Sequence, residues 1–219
     1  TVYALDEETG CVRWTFRAPA EVRTVVIVES PSAAGKHAGS PLVFFGDLLA
    51  RVYAVDAFTG QLRWSYKADD HPNATITGAP SLHDGTLYVP VSSLEVTSAA
   101  DPAYECCTFR GAVLALDAYS GTNRWKAFTI PTAPREVGRT RVGTRILAPS
   151  GAPIWNSPAI DAQRGVLYVG TGENYSSPAN DTSDALIAFR LKDGAMVWHA
   201  QKTANDAWNV ACMLPDNPN

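Results

Sequence analysis

One motif occurs four times in this chain of 219 residues and strongly limits the folds that the chain can adopt. The copies are VYALDEETGCVRW (residues 2–14), VYAVDAFTGQLRW (52–64), VLALDAYSGTNRW (113–125) and LIAFRLKDGAMVW (186–198). Each consists of an alternating apolar run, a Thr-Gly, Ser-Gly or Asp-Gly turn, and a second run that ends on tryptophan. This pattern is typical of a β-hairpin.

The spacing of the copies indicates how the hairpins are assembled. Their starts are 50, 61 and 73 residues apart, and the intervals contain further strand candidates such as PLVFFGD, GTLYVPVS and GVLYVGTG. Four strands per interval are typical of one blade of a β-propeller. A single blade cannot bury both of its faces, so blades stack, and we expect the repeated tryptophan to form the contact between them. The residues added in the longer intervals are expected to lie in loops.

The sequence therefore predicts an all-β fold, a propeller of four-stranded blades of which this chain is a partial ring. A solenoid or an immunoglobulin-like sandwich also has many short strands, but neither predicts a tryptophan-ended hairpin in every interval. The expected divisions are a partial blade (1–20), three blades (21–68, 69–130 and 131–202) and the start of another (203–219). Because the chain begins at Thr1 inside a copy of the motif, we expect it to be a piece of a longer protein.

Composition excludes several classes of partner. The chain has 18 basic and 22 acidic residues, a net charge of −4 and no basic run, so we expect no nucleic-acid partner. No apolar stretch approaches the ~20 residues that span a bilayer, and no signal peptide is recognisable. The four histidines lack metal-ligand spacing and are expected at the surface: His37, His71, His83 and His199.

The repeat, Ala-x-Asp-x-x-Thr-Gly-x-x-x-Trp, resembles the tryptophan-docking motif of the quinoprotein alcohol dehydrogenases. These are eight-bladed propellers that bind pyrroloquinoline quinone (PQQ), and the resemblance covers essentially the whole chain. It implies an oxidoreductase that oxidises an alcohol by hydride transfer to PQQ, with calcium as the second cofactor. Non-catalytic propellers share the motif, so the loops must carry the finer evidence.

Four loop segments resemble the cofactor site of that family and follow one another in the same order: TITGAP, PVSSLEV, GAPIWNSPAID and YVGTGEN. The chemistry is consistent with this, since calcium takes six to eight oxygen ligands and a flat aromatic side chain can stack on a flat cofactor. The resemblance implies that Thr77 and Ser93 lie near the quinone, that Trp155 lies under it, and that Glu95 with Glu173 or Asn174 binds calcium.

The catalytic base departs from the family pattern. The family's aspartate directly follows a tryptophan, whereas here Trp208 is followed by Asn209, and an amide does not accept a proton at neutral pH. Asp206 is the nearest carboxylate and is the candidate base in this chain. Ala211 stands where lanthanide-dependent relatives have an additional aspartate, which favours calcium.

Two adjacent cysteines form the second departure. In CCTFRG, Cys106 and Cys107 resemble the pair that forms a disulfide over the quinone in methanol dehydrogenase-like enzymes, with Arg110 in place of the nearby arginine. In the family this pair precedes the calcium glutamate by one blade, but here it follows Glu95 on the same loop. The pairing of Cys11 and Cys212 cannot be deduced from the sequence.

Within the family, GTGENYSSPANDTSDALIA and ANDAWNVACM are most similar to the quinohaemoproteins that oxidise polyvinyl alcohol. This implies a secondary or polymeric alcohol as substrate, cytochrome c or another electron acceptor as partner, and a periplasmic or secreted location. Cys-x-x-Cys-His does not occur, so a haem c would belong to a part outside this sequence. The alternative, favoured by the missing Trp-Asp base, is a non-catalytic propeller scaffold that binds other proteins.

Overall fold

The computed structural model describes residues 1–29 and 39–214 of the chain, so His37 lies outside the described residues. Nearly all regular structure in this part is extended, with a short helix α1 (Glu95–Ser98) and a 3-10 helix (Val210–Met213). The strands are β1 (Val2–Leu5), β2 (Val12–Phe16), β3 (Ile27–Val28), β4 (Leu42–Gly46), β5 (Arg51–Asp56), β6 (Leu62–Lys67), β7 (Ala74–Thr75), β8 (Ser81–His83), β9 (Thr86–Ser93), β10 (Ala112–Asp117), β11 (Asn123–Phe128), β12 (Arg135–Arg139), β13 (Arg145–Ala148), β14 (Ala159–Asp161), β15 (Val166–Gly170), β16 (Ala185–Arg190) and β17 (Met196–Gln201).

The strands form successive antiparallel sheets in chain order. The hairpin β1-β2 comes first, and the sheet β3-β4-β5-β6 follows it. In the next sheet the order is β11-β10-β9-β7, with β8 also paired to β9, and the last sheet is β14-β15-β16-β17. The strand candidates PLVFFGD, GTLYVPVS and GVLYVGTG correspond to β4, β9 and β15. The predicted all-β fold, a partial ring of propeller blades, is confirmed.

The four repeat hairpins share one local geometry. Each has a register shift two or three residues before its turn, between Ala4 and Leu5 in the first and at the equivalent pairs in the others. The turn glycines all have a φ of +70° or +72°, a left-handed conformation that glycine adopts without strain. The repeated Thr-Gly, Ser-Gly or Asp-Gly dipeptide is therefore explained by the backbone of the turn.

The repeated tryptophans join consecutive blades, as predicted. The indole N–H of Trp14, Trp64 and Trp125 donates to a backbone carbonyl in the turn of the next repeat, at 2.9, 2.9 and 3.0 Å. A Cβ on the glycine of that turn would lie 2.6 or 2.7 Å from the indole ring, so only glycine leaves room for it. The acceptors are Ala57, Ala118 and Leu191, and the glycines are Gly60, Gly121 and Gly194.

The apolar cores lie between the blades. Alternate residues of β5 contribute to different cores: Val52 and Ala54 belong to one cluster, whereas Tyr53 and Val55 belong to the cluster on the other side. The same alternation in β10 divides its residues between two cores. This follows from the two-residue period of a strand, which buries both faces of each inner strand.

The third interval differs from the expectation that its added residues lie in loops. Residues 135–148 form the hairpin β12-β13, whose strands pair from Arg135 with Ala148 to Arg139 with Arg145. Gly143 in its turn has a φ of +90°. The apolar positions of this hairpin alternate with arginines and glycine, so the sequence pattern does not predict a buried strand here. In the described parts of the chain, the helices are too short to cross a lipid bilayer.

Candidate active site

Four chain segments meet beside one another at one side of the blades. Single backbone pairings connect Cys106 with Ile146, Arg110 with Gly151, Gly151 with Asn174, and Asn174 with Ala207. The segments are the loop between β9 and β10, β13 with the stretch after it, the loop between β15 and β16, and the stretch after β17. We call this series of pairings the loop ladder. It brings together regions that are up to about a hundred residues apart in the sequence.

Gly151 is the crossing point of the loop ladder. Its N–H donates to the carbonyl of Phe109 at 2.7 Å, and its own carbonyl accepts from the N–H of Gly111 at 2.9 Å. Its φ is +96°, and a Cβ there would lie 2.6 Å from the backbone nitrogen of Tyr175 and 2.7 Å from the carbonyl oxygen of Glu173. The close approach of the three segments therefore requires glycine at this position.

The predicted bond between the adjacent cysteines is present. Cys106 and Cys107 form a disulfide, whereas Cys11 and Cys212 are exposed free thiols. The backbone of the pair is held against β13, because Leu147 donates to the carbonyl of Cys106 at 2.7 Å and accepts from the N–H of Cys107 at 3.2 Å. Cys107 is wholly buried, so Cys106 is the half of the disulfide that other groups can approach.

A cavity of about 360 Å³ opens beside Cys106. One wall is the hairpin β12-β13, and the others are the loop after β15 and the segment that leads into the 3-10 helix. Asn209, which stands at the position of the family's base, lines it, and Ala207 next to the candidate base Asp206 lines it too. The remaining lining residues are Tyr104, Val137, Gly138, Thr140, Arg145, Ile146, Tyr175, Ser176, Ser177 and Cys212.

The candidate base lies on the loop ladder. The carbonyl of Asp206 accepts from the N–H of Asn174 at 3.3 Å. Asn209 uses both ends of its amide within the protein, donating to the carbonyl of Tyr175 at 2.8 Å and accepting from the N–H of Ala211 at 2.9 Å. Asn209 thus caps the 3-10 helix and fixes the segment that carries Asp206.

A third carboxylate that the sequence did not reveal stands near Asp206. Oδ2 of Asp184 is buried and has no hydrogen-bond partner in residues 1–29 and 39–214. Burial raises the pKa of Asp184, and the negative charges of Asp206 and Glu173 raise it further. The three carboxylates therefore interact electrostatically. Asp184 directly precedes β16 and has a φ of +47°. No residue pattern in the sequence predicts this backbone conformation.

Two of the predicted calcium ligands use their oxygens within the protein. Glu95 is fully buried, and both of its oxygens accept hydrogen bonds from protein donors, including the N–H of Thr108 and of Phe109. The amide of Asn174 donates to the carbonyl of Ser150 at 2.7 Å and accepts from the N–H of Asn180 at 2.8 Å. These two side chains do not fit a calcium ion in this structure.

Glu173 is different, because it is half-buried and no hydrogen bond to its carboxylate is found in the described residues. Its carboxylate is therefore available as a ligand, beside those of Asp184 and Asp206. In the described part of the chain, however, no three His, Cys, Asp or Glu side chains are close enough together to hold a metal ion. The full ligand set implied by the resemblance is not assembled.

The predicted quinone contacts form a second group next to the loop ladder. The indole of Trp155 is 40% exposed, and a Cβ on Gly172 would lie 3.4 Å from its Nε1. A Cβ on Gly78 would lie 2.4 Å from the carbonyl oxygen of Asn156, so the TITGAP and IWNS segments are packed against each other. Trp155 thus offers exposed apolar surface, on a segment packed against the one that carries Thr77, and a flat cofactor needs such a surface to stack on.

The serines and the arginine have other contacts. The Thr77 hydroxyl bonds to Ser92 at 3.0 Å, whereas the hydroxyl of Ser93 is buried and accepts from the N–H of Glu95 at 2.9 Å. The guanidinium of Arg110 donates to two carbonyls after β11, those of Ile130 and Pro131, each at 3.1 Å. It also lies 3.8 Å from the centre of the Phe128 ring.

His71 corrects the expectation that the histidines lie at the surface. Its side chain is only 13% exposed, and its Nε2 lies 3.3 Å from Oε1 of Glu95. Tyr104 also contacts Glu95, through its hydroxyl at 2.9 Å. No sequence pattern indicates either residue, because Glu95 lies 24 positions from His71 and nine from Tyr104, and the contacts depend on the path of the loop.

Comparison with known proteins identifies the fold family. The family model described as the β-propeller domain of glucose, ethanol and alcohol dehydrogenases that use PQQ matches residues 1–214. A polyvinylalcohol dehydrogenase of Pseudomonas sp. is 38% identical over 212 residues, which are 96% of this chain and 33% of the relative. A polyvinylalcohol dehydrogenase of Sphingopyxis sp. is 38% identical over 214 residues, 96% of this chain and 32% of the relative.

Among solved structures, a quinohemoprotein alcohol dehydrogenase, ADHIIG from Pseudomonas putida, superposes with a TM-score of 0.65 at 26% identity. The match covers 94% of this chain and 32% of that protein. The chain thus spans about a third of the length of the relatives it matches. Together with the tryptophan-docked blades, these matches show that the chain belongs to the family of PQQ β-propeller alcohol dehydrogenases.

Proposed function

We propose that this chain is the part of a PQQ-dependent alcohol dehydrogenase that holds the disulfide, the base and one side of the quinone site. The observation that carries the proposal is the loop ladder, which joins the Cys106–Cys107 loop to the segments of Asn174 and Asp206 around one cavity. A purely structural loop cluster does not require a disulfide and unpaired carboxylates at the same place.

The base of the reaction is Asp206 in this proposal. Asn209 is an amide whose two ends are both bonded within the protein, so it serves to fix the loop and cannot take a proton. A carboxylate oxygen of Asp206 accepts the proton of the substrate hydroxyl, and the hydride on the adjoining carbon would pass to the quinone when that cofactor is bound. Asp206 is half-buried, which limits water around it and strengthens this interaction.

The cofactors follow from the same residues. PQQ, when bound, supplies the hydride acceptor, and Trp155 provides the flat surface on which it stacks, with Thr77 alongside. Calcium is the proposed metal, and Glu173 is the predicted ligand whose carboxylate is available for it. Cys106, with its disulfide partner Cys107, forms a wall of the cavity next to the substrate.

The substrate class is a secondary or polymeric alcohol such as polyvinyl alcohol, a proposal supported by the names of the two relatives that match most of the chain. The apolar residues of the cavity, among them Val137 and Ile146 of β12-β13, suit a hydrocarbon chain. Electrons pass to cytochrome c or another acceptor. A disulfide and these relatives favour the periplasm or another oxidising location.

The test is reconstitution of the full-length protein with PQQ and Ca²⁺, followed by alcohol-dependent reduction of a redox dye. We expect turnover, and we expect Asp206→Asn to lower it by about 10²–10⁴-fold with an unchanged fold. Asp181→Asn, which removes an exposed carboxylate on a neighbouring loop, is the matched control and should leave turnover unchanged.

Absence of both a quinone absorbance change and dye reduction would support the second candidate, a protein-binding scaffold. The observation that favours this alternative is the structural use of Asn209 at the position where the family has its base.

A further inference from the structure

Glu95 is the residue at which the structure departs most clearly from the resemblance. Its side chain is completely buried between α1 and the loop that carries the disulfide. Oε1 accepts from the Tyr104 hydroxyl at 2.9 Å and from the N–H and hydroxyl of Thr108 at 2.9 and 3.4 Å. Oε2 accepts from the N–H of Phe109 at 2.8 Å. A carboxylate offers about two lone-pair sites on each oxygen, so these donors with His71 fill Oε1, and Phe109 occupies one of the sites on Oε2.

His71 contacts Glu95 through one nitrogen of its ring. Its Nδ1 accepts from the N–H of Asn73 at 3.2 Å, so Nε2 is the nitrogen that faces the carboxylate. Nε2 lies 3.3 Å from Oε1 of Glu95 and 3.0 Å from the Thr108 hydroxyl. The edge of the imidazole also packs on the Phe109 ring, with the ring centres 5.6 Å apart. The histidine therefore braces both the carboxylate and the loop segment that the carboxylate holds.

The donors lie on both sides of the disulfide. Tyr104 precedes Cys106 by two residues, and Thr108 directly follows Cys107. Because the one carboxylate of Glu95 accepts hydrogen bonds from both residues, it links the chain before the disulfide to the chain after it. On the opposite side, the backbone of Leu147 in β13 is paired with both cysteines. The disulfide is thus fixed between Glu95 and β13, and this arrangement places Cys106 at the cavity.

We propose that Glu95 positions the Cys106–Cys107 loop and is not a ligand of the metal ion. Turning the carboxylate towards an ion would leave the part-buried N–H of Thr108 and the buried N–H of Phe109 without this acceptor, which is unfavourable. A metal ligand also needs oxygen lone pairs that face the ion rather than N–H and O–H donors. Glu95 affects the reaction only through the disulfide loop, so its importance for catalysis rests on the proposed function. The test of its positioning role does not depend on that function.

The test measures how fast the disulfide is reduced in the full-length protein. The free thiols Cys11 and Cys212 are first blocked by alkylation, dithiothreitol is then added, and newly formed thiols are counted by mass. Glu95→Gln replaces one acceptor oxygen by an NH₂ that faces N–H donors, so the loop loosens. We expect reduction about tenfold faster than in the wild type, equally in EGTA and in excess Ca²⁺.

Glu105→Gln is the matched control. Glu105 directly precedes Cys106 on the same loop but is exposed, and its carboxylate pairs with Arg145 on β13. Its replacement by glutamine removes a charge from the disulfide loop itself without removing a buried acceptor. We expect its reduction rate to stay within about twofold of the wild type, since exposed ion pairs contribute little.

Two results would overturn the proposal: reduction of Glu95→Gln at the wild-type rate, or the loss of one bound Ca²⁺ in calorimetric titration of this variant. If Glu95→Gln does not fold, Tyr104→Phe removes one donor and retains the ring. About threefold faster reduction is then expected, and a wild-type rate would overturn the proposal. These readouts follow thiols and calcium, so they stay decisive even if the protein oxidises no alcohol.

Discussion

The seams between blades and the loops around the cavity are held by different kinds of contact. At three seams the same tryptophan, carbonyl and glycine recur, with hydrogen bonds of 2.9, 2.9 and 3.0 Å. Around the cavity each contact occurs once, and the segments meet at a single glycine, Gly151. The seams are a repeated solution to stacking sheets, whereas the loops depend on individual close approaches. The two regions should therefore respond differently to substitution.

The largest effect is expected at a seam. Trp64→Ala removes the ring that covers Gly121 and the hydrogen bond to the carbonyl of Ala118. We expect the free energy of unfolding to fall by about 3–5 kcal/mol, as is usual when a large aromatic side chain is truncated. Denaturant unfolding followed by circular dichroism measures this. Phe58→Ala, which removes a 73% exposed ring in a neighbouring turn, should change it by less than about 0.5 kcal/mol.

A smaller loss is expected at the crossing point of the loop ladder. Gly151→Ala introduces both an unfavourable φ and a Cβ only 2.6 Å from the nitrogen of Tyr175. We expect a loss of about 2–3 kcal/mol. Gly143→Ala is a close match, because its φ is +90° but no atom lies within 4 Å of the new Cβ. That control should cost about 1 kcal/mol, and equal losses would show that crowding at the loop ladder is unimportant.

The sequence predicted the seams well because each of their parts is local. The turn glycine, the alternating strands and the final tryptophan lie within 13 residues, and four copies repeat the same physical requirement. The order of the sheets then follows from stacking. The Cys106–Cys107 disulfide was predicted too, since adjacent cysteines are visible in the sequence and resemble a known pair.

The contacts of the cavity loops were not predictable in the same way. The partners of Glu95 are spread from His71 to Phe109, and nothing in the residue order indicates that five donors converge on one carboxylate. Asp184 was missed because its significance lies in the neighbouring charges of Asp206 and Glu173, which the loop ladder brings close. The resemblance indicates which segment Glu95 belongs to. The hydrogen bonds that its oxygens already accept determine whether they can also bind a metal ion.

A pH titration sharpens the role of Glu95. Burial alone would raise its pKa, but the hydrogen bonds from His71, Thr108 and Phe109 outweigh burial and lower it. A lowered pKa means that the folded state binds the proton less readily than the unfolded chain. The contribution of Glu95 to stability is therefore complete above about pH 5 and is lost as the pH falls through its folded pKa.

We thus expect the wild type to exceed Glu95→Gln in the free energy of unfolding by about 1–3 kcal/mol between pH 5 and 8. The difference should shrink below about pH 4, because the protonated glutamic acid and the amide then resemble each other. Urea unfolding at a series of pH values measures it. A difference independent of pH down to pH 3 would contradict the assignment of a charged, hydrogen-bonded carboxylate.

The smallest change in the free energy of unfolding is expected at Asp184, where replacement of the carboxylate should stabilise the protein, whereas replacement of Glu95 should destabilise it. Its pKa is raised, so the folded state favours the protonated form, and the charged carboxylate lowers stability once the pH exceeds its folded pKa. Asp184→Asn keeps the shape and removes the repulsion from Asp206 and Glu173. In the presence of a chelator at pH 7, we expect the free energy of unfolding to rise by about 0.5–1 kcal/mol, a value that allows for solvent screening. This gain should disappear near pH 3. The exposed Asp181 gives the control Asp181→Asn, for which no gain is expected. If added Ca²⁺ stabilises the wild type but not Asp184→Asn, the carboxylate of Asp184 lies in the surroundings of the ion. The loops around the cavity would then differ from the seams, because they need a bound ligand for full stability.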